Sequence, residues 1–331
     1  MTLATVAEAL GVSTMTVSNA YNRPEKLSSE LRERILAKAD ELGYAGPDAL
    51  ARSLRRGRTG VLGIVLGEAL AYAFEDPATV EFLRGLAGAG VPLHLVPASG
   101  GEGDAALVLN AAVDAFVVFA VPDGLPIMDA VVRRRLPVII QGGPALPGFP
   151  VVAIDERAAA GAAADHLREL GHMRLAVVSL PFSLADRDAV AGKPPAHRAT
   201  RGRLAGYGVT VGREVAVNDR EHGELAAGVL LDGPEPPTAL LCMSDELARG
   251  ALRAARRRGL AVPDQLSVVG YDDTPEALRA EPPLTTIRQS LRDQGQRCAE
   301  LAAAGADGPV EPQPWELIIR GSTAGFRAPV R

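Results

Sequence analysis

Residues 11–22, Gly11-Val12-Ser13-Thr14-Met15-Thr16-Val17-Ser18-Asn19-Ala20-Tyr21-Asn22, read as a turn followed by a short helix with little apolar surface of its own. Ser13 stands where an N-cap is needed, and the apolar positions of the helix are chiefly Val17 and Ala20. Thr14, Met15, Thr16, Ser18, Asn19 and Asn22 are left on an outward face of short side chains that can lie against another surface. On the N-terminal side, Leu3, Val6, Ala7 and Leu10 recur at helical spacing, with Thr2 as cap and Gly11 where that helix must stop. A third helix, from about Ser29 to Leu42, puts Leu31, Ile35, Leu36, Ala39 and Leu42 on one side, enough to bury the first two against it. Two helices joined by a tight glycine-containing turn and propped by a third make a helix-turn-helix unit. The alternative is a small bundle packed on the rest of the chain, its Ser and Thr ordinary surface.

The chain around this unit has 331 residues, 47% hydrophobic and 23% charged, a core-forming balance for two or three domains. No apolar run approaches the roughly 20 residues of a transmembrane helix, and no basic and apolar leader opens the sequence, so a cytoplasmic protein without membrane association is expected. Cys242 and Cys298 lack metal-ligand spacing and read as buried thiols. The net charge of -5 hides an asymmetry: residues 1–60 carry nine Lys/Arg against seven Asp/Glu, and the remainder 26 against 33. Arg52, Arg55, Arg56 and Arg58 fall within seven residues. Such a cluster is either a solvated face or a phosphate-neutralising one, and its place beside the helical unit favours the second.

Beyond residue 60 strand-like and helix-like stretches alternate. Strands are expected at Val61–Leu66, Pro92–Val96, Ala115–Val121, Val138–Gln141, Val151–Ile154, Leu175–Ser179, Ala239–Met243 and Ser267–Tyr271, with helices such as Ala78–Ala89, Ala158–Leu170 and Asp245–Arg258 between them. This repetition predicts parallel sheets covered on both faces, and its extent fits two doubly wound lobes better than one wide sheet. Strand ends at the carboxyl side open into a crevice, which directs attention to Asp155, Ser244 and Asp272 as ligand-facing groups; each aspartate can instead simply cap the following helix. In the stretch GEALAYAFEDP, Tyr72, Phe74 or Asp76 either line that crevice or pack a loop. The polar, Gly/Pro-broken segment 182–195 reads as a lid or an unstructured loop.

Enzyme signatures are missing: there is no Walker-type loop, no G-x-S-x-G, no H-E-x-x-H and no G-x-G-x-x-G opening a helix after a strand. Gly100, Gly101 and Gly103 cluster without phosphate-loop spacing, and His166 and His172, six residues apart, do not share a helical face and read as structural. No catalytic residue, metal site or cofactor is expected.

Three stretches near the N-terminus, TLATVAEALGVSTMTVSNAYN, LRERILAKADELGY and ALARSLRRGRTGVLGIVL, together resemble the DNA-binding head of the lactose-repressor (LacI/GalR) family of bacterial transcription regulators. AAAGAAADHLRELGHMRLAVV, LLCMSDELARGALRAARRRGLAVPDQLSVVGYDD and PPLTTIRQ are similar to signatures of that family's core. The resemblance implies an N-terminal all-α helix-turn-helix head followed by an α/β two-lobed periplasmic-binding-protein-like core of two doubly wound parallel sheets. The implied division is a head at 1–46, a hinge helix and linker at 47–59, and an effector-binding and dimerisation core at 60–331. The first lobe would hold about 60–156 and 290–312, the second about 157–287 and 313–331. It further implies a repressor that binds a palindromic double-stranded DNA operator as a homodimer and whose operator affinity is changed by a small effector, a sugar or related polyhydroxylated molecule, held between the lobes. A regulator governed by a protein partner instead of a metabolite is the alternative.

In helix-turn-helix geometry the second helix enters the major groove, so Thr14, Met15 and Asn19 are the candidates for base contacts, and Ser13, Ser18 and Asn22 for phosphates. The resemblance makes 47–56 a helix formed on DNA, with Leu54 wedged into a minor-groove base step and Ala51 against the groove floor. It places effector contacts at Asp155, Arg203, Ser244, Asp272, Gln289 and Leu291. The helix after Arg203 is shorter than in the family, which leaves Arg198 and Arg201 as alternatives for that arginine. The closing WELIIR strand, in place of a leucine-rich helix, fits a dimer and not a tetramer.

Leu54→Ala should weaken operator binding well beyond a factor of about two, read by fluorescence anisotropy, with ligand binding by the core intact. An affinity that stays within that factor removes the wedge.

Overall fold

A computed structural model describes residues 1–46, 57–181 and 195–327, in two compact units, Met1–Gly60 and Val61–Arg331. In the first unit, α1 (Leu3–Leu10), α2 (Thr14–Asn22) and α3 (Ser29–Glu41) each begin at a hydroxyl cap, from Thr2, Ser13 and Ser28 respectively. Gly11 ends α1 in the left-handed conformation at φ 61, and its N–H returns to the last carbonyls of the helix. Val6, Ala7, Val17, Ala20, Ile35, Ala39 and Tyr44 form the buried centre, with Leu3, Leu10 and Leu31 around it. So α2 spends its two apolar residues on the other helices and keeps nothing apolar for a second packed face except exposed Met15.

The larger unit holds two sheets. The first has the order β2-β1-β3-β4-β5, all parallel, from β1 (Leu62–Leu66), β2 (Leu93–Pro97), β3 (Ala115–Phe119), β4 (Val138–Gln141) and β5 (Val151–Val152). Its connections carry α4 (Leu70–Ala73), α5 (Pro77–Gly88), α6 (Asp104–Asn110) and α7 (Ile127–Arg133). Alternate strand residues feed opposite faces: Ile64, Leu66 and Val117 pack with Phe82, Leu86 and Cys298, while Val65, Phe116 and Val118 pack with Val108 and Val131. Burial on both faces is why β1, β3 and β4 read as continuous apolar runs.

The second sheet has the order β11-β10-β9-β8-β6-β7. Its strands are β6 (Leu175–Ser179), β7 (Gly212–Glu214), β8 (Ala239–Cys242), β9 (Ser267–Asp272), β10 (Thr285–Arg288) and β11 (Glu316–Ile318), and β11 pairs antiparallel with β10, an exception to the all-parallel expectation. α8 (Glu156–Glu169), α9 (Arg198–Tyr207), α10 (Arg220–Leu231), α11 (Asp245–Arg257) and α12 (Pro275–Arg279) cover it, while α13 (Leu291–Ala304) returns to pack on α5 of the first lobe. The chain therefore passes between the lobes three times, after β5, after β10 and after α13. Short, polar β7 and the threonine-rich β10 gave no strand pattern in the sequence, because each takes its pairing from neighbours and not from an apolar period.

The return of α13 depends on glycine. A Cβ at Gly85 would lie 2.0 Å from the Arg292 carbonyl oxygen, and one at Gly295 2.3 Å from that of Phe82, so α5 and α13 meet backbone to backbone. Two histidines hold the C-terminal segment: His166 pairs with the Thr323 hydroxyl, and His172 bridges Thr238 and the Ala324 carbonyl. Both thiols, Cys242 and Cys298, are buried, which pushes their pKa values up and leaves them unreactive at neutral pH.

Gly85→Val should cost about 3 kcal/mol in urea denaturation by prising α5 from α13. Gly88→Ala, three residues along the same helix with nothing within 4 Å of the added methyl, should change stability by less than about 1 kcal/mol, stabilising if anything.

Candidate functional site

The head presents α2 as its accessible face. Ser13, Thr14 and Met15 are exposed, Met15 at 67%, and Asn19 is partly exposed one turn further on. Ser13 Oγ accepts from the Thr16 amide at 3.0 Å, and Asn22 Nδ2 donates to the Ser18 carbonyl at 3.0 Å and to Ser18 Oγ. The three residues assigned to phosphates thus also hold the two ends of α2 in shape. Ala51 and Leu54 lie outside the described residues, as does most of the 182–195 segment.

In the larger unit the carboxyl ends of strands from both sheets open on a cavity of about 260 Å³. The first lobe contributes Glu68, Tyr72, Asp76 and Gln141; the second contributes Arg198, Arg203, Asn218, Ser244 and Asp272; Gln289 and Leu291 come from the crossover between them. Buried Arg203 is the centre. Its Nε donates to Glu156 Oε2 at 2.9 Å, its Nη1 to the Met243 carbonyl at 2.5 Å, and its guanidinium lies 3.6 Å over the Tyr271 ring. The Tyr271 hydroxyl donates to the same Glu156 oxygen at 2.6 Å. Burial alone pulls the Arg203 pKa down, but Glu156, Tyr271 and Asp272 outweigh it and hold the charge in place.

Asp272 closes β9 in the left-handed region at φ 98, and accepts from Gln289 Nε2 at 2.5 Å, with Arg203 Nη2 3.6 Å away. Burial pushes its pKa up to about 6 against the pull of Arg203 and Gln289. Ala120 at φ 49 and Ser290 at φ 37 are also left-handed at strand ends beside the cavity. Such residues cost on the order of 1–3 kcal/mol each and cluster where a backbone must be aimed. Ser244 caps α11 through the Leu247 amide and donates to Asn218 Oδ1 at 2.5 Å. The Tyr72 hydroxyl donates to the Asn218 carbonyl at 2.7 Å, a hydrogen bond from one lobe to the other. A second bridge joins Arg201 to Asp123 of the first lobe.

Two expectations are corrected. Asp155 is exposed, caps α8 through the Ala158 amide at 3.0 Å and does not line the cavity; its neighbour Glu156 points inward instead, because the helix begins at that residue. Phe74 is 58% exposed and outside the cavity, while Tyr72 and Asp76 line it. Asp76 also caps α5 and binds the Thr79 hydroxyl at 2.7 Å. The three arginines separate by partner: Arg203 is ion-paired on the cavity floor, Arg201 reaches Asp123, and Arg198 lines the cavity. Asn218 and Gln141 were missed, and nothing in their local sequence marks them, since both matter only through strands brought together by the fold. The glycine cluster is closed by its own chain: Gly100 and Gly101 amides and the Ser99 hydroxyl all donate to Asp104. Among the described residues no group of three His, Cys, Asp or Glu is arranged to hold a metal, and no helix is long and apolar enough to cross a membrane.

Comparison with known proteins bears on both units. Residues 2–46 match the family model of bacterial regulatory proteins of the lacI family, and residues 164–323 that of a periplasmic binding protein-like domain. An HTH-type transcriptional regulator of Mycobacterium tuberculosis is 40% identical over 98% of this chain and 97% of its own. The crystal structure of a LacI-family transcriptional regulator from Corynebacterium glutamicum is 34% identical, covers 98% of both chains and superposes with a TM-score of 0.72. The lac repressor dimer, bound to its operator and an anti-inducer, is 27% identical over 98% of this chain and 99% of that one, with a TM-score of 0.77.

The shift at Asp272 has a sign. Its folded pKa, about 6, lies above the ordinary 3.8, so proton uptake favours the folded chain; that stability is present below about pH 4 and lost as pH rises through about 6. Asp272→Asn, which cannot ionise, should therefore be more stable than the native chain at pH 7.5, by up to about 2 kcal/mol in urea denaturation, with the gap closing towards pH 4. A variant less stable at pH 7.5 shows that the Asp272 charge supports the fold.

Proposed function

The chain belongs to the lacI family of bacterial regulatory proteins and is a DNA-binding transcriptional regulator, not an enzyme, and from that premise we propose that it is a cytoplasmic repressor, controlled by a small polyhydroxylated metabolite bound between its two lobes. It acts as a homodimer on a palindromic operator, Thr14, Met15 and Asn19 reading base edges and Ser13, Ser18 and Asn22 contacting phosphates. Support for the assembly comes from the lac repressor, whose structure is a dimer on its operator with a small ligand bound. A palindrome presents two equivalent half-sites, and a two-fold dimer is the assembly that matches them.

The observation that carries the metabolite reading is the cavity itself, about 260 Å³ and lined from both lobes. A regulator governed by a protein partner would not need this space, and side chains would be free to fill it. Its polar groups suit hydroxyls: Asp272 and Gln289 at one end, Ser244 and Asn218 at another, with Leu291 and Phe119 as apolar walls. A ligand held by Asp272 of the second lobe and Gln141 or Glu68 of the first makes contacts in the closed form that an open form lacks. That difference is what lets binding shift the lobes and, through residues 47–59, the pair of heads.

The test uses the full chain and its operator, found by sequencing the DNA it retains from a fragmented genome. Sugars, polyols and their acid and phosphate derivatives are titrated while operator affinity is followed by anisotropy. At least one should change it. Asp272→Ala should still bind operator and weaken that compound about five- to hundredfold. A fragment from Gly60 onward should dimerise and bind ligand without binding DNA. No response to any compound, with operator binding intact, would end the metabolite reading.

A further inference from the structure

Two polar groups at the cavity have no partner among the described residues. Thr200 is 1% exposed, and its hydroxyl is buried with no hydrogen bond; Arg198 Nη1 is buried and likewise unpartnered. Both residues line the cavity and both belong to the first turn of α9, two positions apart. Buried hydroxyls and guanidinium nitrogens without partners cost on the order of a hydrogen bond or more, so two such groups lining one cavity call for an acceptor from outside the chain.

The helix supplies a third element. No side chain caps α9, as none caps the shorter α4, α6, α7 and α12, whereas α2, α3, α5, α8, α10, α11 and α13 each begin at a serine or aspartate cap. The residue at the cap position, His197, hydrogen-bonds the Ala120 backbone, and burial pushes its pKa down, towards the neutral ring. The first-turn amides of α9 thus face the cavity beside Arg198 and Thr200, with the positive end of the helix dipole behind them.

The carboxylates of the cavity do not answer this charge. Glu156 is held by Arg203 and Tyr271, Asp76 by the start of α5, and Asp272 by Gln289 with Arg203 near. Glu68 accepts from the Thr79 hydroxyl. Arg198 forms no ion pair among the described residues, whereas Arg201 and Arg203 of the same helix both do. Opposite it, Gly143 takes φ 146, and a Cβ there would lie 3.0 Å from Arg198 Cβ, so the first lobe's loop admits the arginine only because that position is glycine.

We propose that the N-terminus of α9, with Arg198 and Thr200, is an oxyanion site, and that the effector is a polyhydroxylated molecule carrying a phosphate or carboxylate group. The inference rests on the reading of the cavity as the effector site and narrows its ligand. The oxyanion accepts from Arg198 Nη1, the Thr200 hydroxyl and the α9 amides, while the hydroxyl end lies against Asp272, Ser244 and Asn218. Arg203 is left to hold the floor. A neutral polyol of the same shape leaves the Arg198 and Thr200 donors unpaired and binds less well for that reason.

The probes are inorganic phosphate and acetate, titrated separately into the full chain by calorimetry, with an uncharged hexose as the neutral arm. One or both anions should bind. Arg198→Gln should weaken that binding about ten- to hundredfold, and Thr200→Val several-fold, with neither urea midpoint lower than that of the native chain. Phosphate binding alone identifies a phosphorylated effector, and acetate binding alone a carboxylated one. Equal binding to Arg198→Gln and native chain overturns the inference, as does failure of both anions. Failure of both anions removes the oxyanion site whether or not the hexose binds, while the metabolite-controlled regulator stands or falls by the operator titration.

Discussion

One buried guanidinium fixes the floor of the crevice. Arg203 comes from α9, Glu156 from the first turn of α8, Met243 from the end of β8 and Tyr271 from β9, and all four meet within hydrogen-bond or ring-stacking distance. Taking that charge out of water costs several kcal/mol, recovered only when its donors and the facing oxygens are matched. The arrangement therefore contributes little net stability while being intolerant of partial loss: with Glu156 gone, the arginine would remain buried and unpaired. Its value is positional. The start of α8 and the carboxyl ends of β8 and β9 are tied to one planar group on α9, so the backbone beside Ser244 and Asp272 is held from within the lobe.

The contacts between the lobes are of another kind. Hydrogen bonds from Tyr72 to the Asn218 carbonyl, from the Asp123 amide to the Ala196 carbonyl and between His197 and the Ala120 backbone, with one partly exposed ion pair, Arg201 with Asp123, span the crevice. At about 1 kcal/mol net for each hydrogen bond and at most about that for the exposed pair, these contacts favour closure by only a few kcal/mol. The three crossings of the chain between the lobes allow hinge motion without breaking either core. A ligand adding a few kcal/mol of contacts present only in the closed form would then dominate the equilibrium. Asn218 sits at the junction of these roles, its backbone carbonyl holding Tyr72 and its side chain holding Ser244.

Much of this was legible in the sequence. The head followed from caps and apolar spacing, since Thr2, Ser13 and the Gly11 stop all appear where local chemistry puts them. The central strands β1, β3, β4, β6, β8 and β9 are apolar because both their faces are covered, and that pattern is local. What escaped was set by tertiary pairing: β7 and β10 have no apolar period, and β11 reverses direction at the edge of its sheet. At the site the error at Asp155 is instructive. A carboxylate after a strand either caps the next helix or faces the crevice, and with two acids in succession the first took the cap and the second, Glu156, turned inward. No residue spacing distinguishes those outcomes; the helical phase, fixed by which residue is first in the helix, does.

The head shows why weak, divided contacts suit this protein. The exposed positions of α2 include no arginine or lysine, so whichever of them meet base edges, the bidentate pair with guanine that gives the commonest strong readout is not available from this helix. Asn19 can pair with adenine and Met15 can touch a thymine methyl, each adding modest discrimination. Phosphate neutralisation by a head of about two net positive charges, with four arginines in residues 52–58, must supply much of the affinity, and it is sequence-independent and salt-sensitive. A ligand-linked change between distant sites is usually worth about 1–3 kcal/mol. That quantity releases an operator held by a modest margin, and would be lost against one held by many strong base contacts. On the proposed reading of α2 and the crevice, short polar side chains on α2 would keep DNA affinity within the range that a crevice ligand can move.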